Sequence, residues 1–266
     1  METLINTFQK KTKTENTDLS SLHFHSGYEL IFVTKGAVDI EINSVPHKAK
    51  SPAIILLNPF EQHKITDESD DYERIILVLN SDVLEQNISP RLTAMLKCRP
   101  QNFSHILKPS EKDFINICNI SDSIANELNS SGIFSNQYIQ NCVYNMLILM
   151  YRTRKASPEL SLPMMKIQTF MDMNYSNINS IQELADKFCI SSSHLSRTFK
   201  AHSGYSPVEY LLNIRLYRAQ QLLIYSDLNI NEISAQIGFK DTNNFIRQFS
   251  KRFKLSPMKF RKENRE

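Results

Sequence analysis

No stretch of this chain is apolar for long enough to cross a bilayer; the longest apolar run lies near Met146–Tyr151. Met1–Thr17 is polar and lacks the apolar core of a secretory leader. Cysteine is sparse. Cys98, Cys118, Cys142 and Cys189 lie far apart and make no C-x-x-C pair, and three of them sit in apolar helical patterns, so buried thiols are expected. These lacks together point to a cytoplasmic, reduced protein. A strong charge of either sign is missing as well, the formal net charge being +3. That figure hides an asymmetry. Residues 160–266 carry 15 Lys+Arg against 9 Asp+Glu (+6), and residues 1–159 carry 16 against 19 (−3). A basic C-terminal part beside an acidic N-terminal one suits nucleic-acid binding by the former alone. A length of 266 residues is enough for two domains with cores of their own.

What the chain does have is one pattern written twice between Ile181 and Arg261. Glu183 corresponds to Glu232 at an offset of 49, and Phe199 to Phe249 and Pro207 to Pro257 at an offset of 50, so the second copy has gained one residue in its central turn. Each copy reads as a helix-turn-helix. Leu184, Ala185 and Phe188 share one face of a short helix, and Leu195 and Phe199 resume the period one turn apart. Ile233, Ser234, Ile237, Phe245 and Phe249 repeat the arrangement, with Gly238 supplying the positive φ of a tight turn. Between the copies, Ser206, Pro207 and Glu209 spell a capping box and a helix start, followed by apolar positions to about Tyr225. A helix that long holds both second helices on one side of the module.

The outward residues of those second helices are Ser193, His194, Ser196, Arg197 and Lys200 in the first copy, and Thr242, Asn243, Arg247 and Lys251 in the second. Arginine can fork onto guanine and asparagine onto adenine, while serine and threonine serve bases or phosphates. The plain alternative is a pair of solvated helix faces.

Gly204-x-Ser206-Pro207-x-x-Tyr210-x-x-x-x-Arg215-Leu216-x-x-Ala219-x-x-Leu222-Leu223 joins the copies, and Phe249-x-x-x-Phe253-x-x-Ser256-Pro257-x-x-Phe260-Arg261 closes the second. Over residues 160–262 this resembles the AraC/XylS family of bacterial transcription regulators. Lys254 departs from the family pattern: it stands where glycine is usual, at the counterpart of Gly204. A lysine there would have to take the left-handed conformation. The resemblance implies double-stranded DNA as a partner, a small-molecule effector, a homodimer, RNA polymerase contact if the protein activates, no membrane and no enzymatic activity.

Further forward, Tyr28–Thr34, Ala37–Ile42, Ala53–Leu57 and Arg74–Leu79 read as short strands, separated by Gly36, Asn43-Ser44, Pro52 and Asn58-Pro59. Their spacing suggests a small β-barrel or sandwich. His23-x-His25-x-x-x-Glu29, followed by Pro59-x-x-x-His63, resembles the cupin barrel, in whose enzymes the matching residues bind a metal. Ser51 and Glu61 stand where cupins usually have glycine, and the His63 spacing is one residue short. The expectation is therefore an effector pocket lined by His23, His25, Glu29 and His63, with no metal, no cofactor and no catalytic residue. The alternative is a metal-dependent cupin enzyme fused to a DNA-binding domain; a third reading is a nonspecific DNA-associated protein.

Residues 1–20 give only a polar lead-in, and 80–109 remain unassigned. A helix capped by Ser110 carries a stripe of Phe114, Ile117, Cys118, Ser121, Ile124, Ala125 and Leu128, and Asn129–Gly132 ends it. A second helix over about 136–154 has an apolar band too wide for one buried stripe, which suggests a dimer contact. The expected fold is α+β: a cupin-like sensor and dimerisation domain with a helical pair (1–155), a linker (156–163), and an all-α domain with two helix-turn-helix units (164–266).

Overall fold

The computed structural model describes residues 3–11, 27–100, 103–130, 132–153 and 161–265. It divides into two compact units, Met1–Cys98 with Phe103–Pro158, and Arg99–Asn102 with Glu159–Glu266. The first unit runs β1 (Ile5–Lys11), β2 (Tyr28–Lys35), β3 (Ala37–Ile42), β4 (Val45–Lys50), β5 (Ala53–Leu57), β6 (His63–Glu68), β7 (Glu73–Leu79), α1 (Ser81–Asn87), α2 (Pro90–Lys97), β8 (Ile106–Leu107), α3 (Glu111–Leu128) and α4 (Ser135–Arg152). The second runs α5 (Leu162–Asn174), α6 (Ile181–Lys187), α7 (Ser192–Ser203), α8 (Pro207–Tyr225), α9 (Ile230–Gln236), α10 (Thr242–Phe253) and α11 (Pro257–Asn264).

The strands form two antiparallel sheets, ordered β1-β7-β2-β5-β8 and β4-β3-β6. Alternation along β2, β5 and β7 gives the larger sheet two apolar faces. Ile31, Val33, Ala53, Ile55, Leu57, Ile76 and Val78 pack toward Val38, Ile40, Ile42 and Ala49 of the smaller sheet. Tyr28, Leu30, Phe32, Ile54, Leu56, Ile75 and Leu77 pack instead on Phe114, Ile117 and Ile124 of α3 and on Val143, Met146, Leu147 and Met150 of α4. Burial on both sides is why these three strands read as nearly unbroken apolar runs.

The structure adds elements that the sequence pattern did not show. The polar lead-in contains β1, and the unassigned 80–109 contains α1, α2 and β8. Asn80 caps α1, its side chain accepting from Asp82 N and Val83 N, and Pro90 opens α2. Ser110 caps α3 as expected, but Leu128, assigned to the buried stripe, is 42% exposed. Most of the wide band on α4 is used within the unit, since Ile139, Val143, Met146, Leu147 and Met150 are buried and Cys142 and Leu149 half-buried against the same core. Of that band only Tyr138 is exposed. Three buried thiols were expected; Cys98 is buried, Cys118 and Cys142 are half-buried, and Cys189 is exposed. Burial pushes the Cys118 thiol up to about 11.

In the second unit α5 begins at Leu162, inside the stretch read as linker, because proline at the start of a helix forfeits no hydrogen bond. Each short helix is capped. The Ser180 and Asn229 side chains accept from the backbone of Glu183 and Glu232, and Ser191 and Asp241 do the same for α7 and α10. The predicted capping box of Ser206 and Glu209 is present at the start of α8, which ends at Tyr225.

Candidate nucleic-acid interface

The two helix-turn-helix copies have the same backbone plan. Ile190 N bonds back to Ala185 O (3.1 Å) in the first, and Phe239 N to Ser234 O (3.0 Å) in the second. In each, a small buried residue, Ala185 or Ser234, lets the second helix cross closely. Leu195 and Phe199 seat α7, and Phe245 and Phe249 seat α10, all fully buried. Such tight seating on one face fixes which residues the other face presents.

Ser193, His194, Arg197 and Lys200 are exposed on α7, and Ser196 is half-buried beside them. On α10, Asn243, Arg247 and Lys251 are exposed and Thr242 is half-buried. Seven of the nine predicted positions are thus exposed and two half-buried. The arginines differ in their surroundings. Arg247 Nη2 donates to Asn244 Oδ1 (3.0 Å) one helical turn back, a partner that the i, i+3 spacing signals. The C-terminal ends differ too. Gly204 ends α7 at φ +84°, and Lys254 ends α10 at φ +59°, the left-handed conformation expected of it.

A second polar group lies in the first unit. Glu29 shares the inter-sheet face of β2 with Ile31 and Val33, and it and His63 of β6 are each only 2% exposed. His63 Nε2 lies 2.9 Å from Glu29 Oε2, and its Nδ1 lies 3.2 Å from Glu61 O. Burial disfavours a charged imidazole, yet the Glu29 carboxylate, its hydrogen bond and the Glu61 carbonyl together hold His63 above the usual imidazole range. Glu61, read from sequence only as a replaced glycine, is also buried; it accepts from Asn58 N (2.8 Å) and meets His105 Nε2 at 2.8 Å. His47 stands edge-on to His105, and burial, with His105 adding to it, lowers its pKa. Arg74 and Tyr72 complete the buried set, and burial pushes the Tyr72 phenol up to about 12. Arg74 was legible in principle, since it alternates with Ile76 and Val78 on the inter-sheet face.

His23 and His25 lie outside the described residues. Among the described residues no group of three or more His, Cys, Asp or Glu is placed to hold a metal ion. No described helix is long and apolar enough to cross a membrane.

Comparison with known proteins agrees with this architecture in both units. A family model described as an AraC-like ligand binding domain matches residues 12–134, and one described as a helix-turn-helix domain matches 184–263. The first unit is thus similar to the ligand-binding domain of the AraC family. The chain is 34% identical over 146 residues to the lactose operon transcription activator of Staphylococcus xylosus, covering 54% of this chain and 52% of that protein. It is 35% identical over 94 residues to the HTH-type transcriptional activator RhaS of Yersinia pestis strain Pestoides F, covering 35% of this chain and 34% of that one. The matched part of the chain thus spans about half the length, or less, of these curated relatives. Among solved structures, ToxT from Vibrio cholerae O395 has a TM-score of 0.59 at 14% identity, over 97% of this chain and 98% of that one, which shows a shared fold.

Proposed function

We propose that this chain is a sequence-specific, non-enzymatic transcription regulator that reads double-stranded DNA through α7 and α10. The observation that carries this reading is the duplicated surface: two capped helices, each seated by fully buried residues, each presenting arginine and lysine beside short polar side chains. Ser193, His194, Ser196, Arg197, Thr242, Asn243 and Arg247 are the base-reading candidates, and Lys200 and Lys251 the phosphate contacts. The two helices enter successive major-groove segments, which recur about 34 Å apart. The relatives named as activators support contact with RNA polymerase.

In this reading residues 1–155 form the sensor and dimerisation domain, 156–163 the linker and 164–266 the DNA-binding domain, working where the chromosome lies, in the cytoplasm. Glu29 and His63, with His23 and His25, line the effector site. The paired carboxylate and imidazole set polar groups in an otherwise apolar interior, which suits a hydroxyl-rich or cationic ligand. The naming of one relative for a lactose operon is consistent with a sugar. Exposed Tyr138 and Tyr144 on α4, with Ile133 and Phe134 just before it, form the dimer contact.

Selection of bound duplexes from a random pool tests the central claim. A two-part recurring sequence is expected. Uniform binding to every duplex would leave only nonspecific association. For the sensor, metal content and the Glu29→Gln variant decide. About one transition metal per chain, lost in the variant without effect on ligand-dependent DNA binding, would favour the cupin-enzyme alternative.

A further inference from the structure

The loop that leads into the first helix-turn-helix copy touches the turn of the second directly, beside the helix that links the copies. The contact is built on the loop between α5 and α6, which leads into the first copy, and on the turn of the second copy. Gly238 in that turn has φ +85°, and a Cβ placed on it would come within 2.8 Å of Ser176 Cα, nearer than real Cβ atoms approach a neighbour. Backbone therefore lies on backbone, and only glycine fits.

Arg215 of α8 ties the same place together. Its Nε and Nη2 donate to Tyr175 O (3.0 and 2.8 Å), and Nη2 also donates to Ile178 O (2.7 Å). The same guanidinium lies 5.9 Å from the ring centroid of Phe239, the residue after Gly238. Arg218, one residue short of a turn further on, lies 5.7 Å from the Tyr175 ring centroid, and Tyr175 itself packs on the core of the second copy. Loop 175–178 leads into the first copy, turn 238–239 lies in the second, and Arg215 holds both.

We infer that Arg215 is a positioning residue that fixes the vector between α7 and α10, so that the protein reads the spacing between two half-sites as well as the bases within each. Loop 175–178 leads directly into α6, which crosses α7, and turn 238–239 leads directly into α10. Locking the loop to the turn locks the two reading helices to each other. Each added base pair carries a half-site about a tenth of a turn around the duplex. A rigid junction then makes the DNA absorb the mismatch by bending or twisting. The inference rests on the proposed DNA-reading function.

The test uses the full chain and duplexes carrying the selected two-part site, with the spacer lengthened or shortened by one and two base pairs, alongside duplexes carrying either half-site alone. Wild-type affinity is expected to fall about tenfold or more for a one-base-pair change, and in Arg215→Met that penalty shrinks to about twofold because the junction, not the DNA, gives way. Affinity for each isolated half-site stays unchanged. A role in stability alone would weaken single and paired sites together and leave the spacing penalty intact. That pattern, or an Arg215→Met protein folded by circular dichroism with the wild-type penalty, overturns the inference. So does a wild-type protein indifferent to spacing. Where Arg215→Met does not fold, Phe239→Leu, which leaves the three carbonyl bonds in place, is held to the same criterion. A wild-type protein that selects no sequence at all fails the DNA-reading function itself, a result distinct from selecting half-sites without regard to spacing.

Discussion

The first and second helix-turn-helix copies reach one backbone plan by different local chemistry. The turn that glycine makes in the second copy (Gly238, φ +85°) is made in the first by Cys189 at φ +54°. The left-handed helix end that glycine makes in the first copy is made in the second by Lys254. Each copy thus has one permissive residue and one that enters the left-handed region at a cost. The crossing residue is apolar in the first copy (Ala185) and a buried hydroxyl in the second, where Ser234 Oγ has no hydrogen-bond partner among the described residues. Beyond the crossing, α10 rests on a stack of Phe245, Phe249, Phe253 and Phe260, whereas Phe199 meets Tyr210, whose hydroxyl donates to Asp172. Shape is held by packing, and the two copies supply corresponding turns and crossings with different residues.

The comparison breaks most sharply at the reading surfaces. Arg197→Ala and Arg247→Ala should each cost about 1–3 kcal/mol on a selected site and relax preference at a few adjacent base pairs. Titration at fixed salt against selected and random duplexes is the measurement, and the first copy is expected to show the larger loss. Equal losses on both duplexes would remove the base-reading role from that arginine.

Exchanging the crossing residues probes the cores. Ser234→Ala should stabilise the second unit by about 1–3 kcal/mol, since it deletes a buried hydroxyl lacking a partner, and Ala185→Ser should cost a similar amount in the first copy. Denaturant unfolding checks both. A Ser234→Ala protein of unchanged stability would mean that this hydroxyl is satisfied in solution.

Smaller still are the turn exchanges. Cys189→Gly and Lys254→Gly should each gain about 1 kcal/mol by relieving the left-handed strain, less what glycine adds to the disorder of the unfolded chain. A lower melting temperature for either would show that its side chain contributes packing that outweighs the strain. The slightest effect belongs to Lys200→Ala and Lys251→Ala. Each should lower the slope of log affinity against log salt by about 1, equally on all sequences. A loss confined to the selected site would make that lysine a base reader.

The pattern of what was legible in the sequence follows burial. The four strands read from sequence, β2, β3, β5 and β7, are the interior strands of the two sheets, with apolar residues on one or both faces. The four that escaped, β1, β4, β6 and β8, are all edges. β4 (Val45–Lys50) carries Pro46 and two lysines, and β6 ends in Thr66, Asp67 and Glu68, residues that keep an edge from pairing further but carry no strand signature. The buried polar group was half legible for the same reason. Glu29 stands on an interior strand whose alternation points it inward. His47 on edge β4 and His105 just before edge β8 join Glu61 through pairings that no local pattern encodes. In the second unit the elements were legible almost throughout, because caps, small crossing residues and one-turn spacings are local signals. The junction at Arg215 was not, since it joins residues 40 positions apart.

β2 has consequences on two sides at once. Glu29, Ile31 and Val33 look toward the smaller sheet, while Tyr28, Leu30 and Phe32 press on the layer formed with α3 and α4. The strand is a party wall with no slack in it, every residue from Tyr28 to Val33 being buried. Whatever strains that wall from the Glu29 side is felt in the room next door, where the α3–α4 hairpin leans on it, with no messenger needed beyond the wall itself.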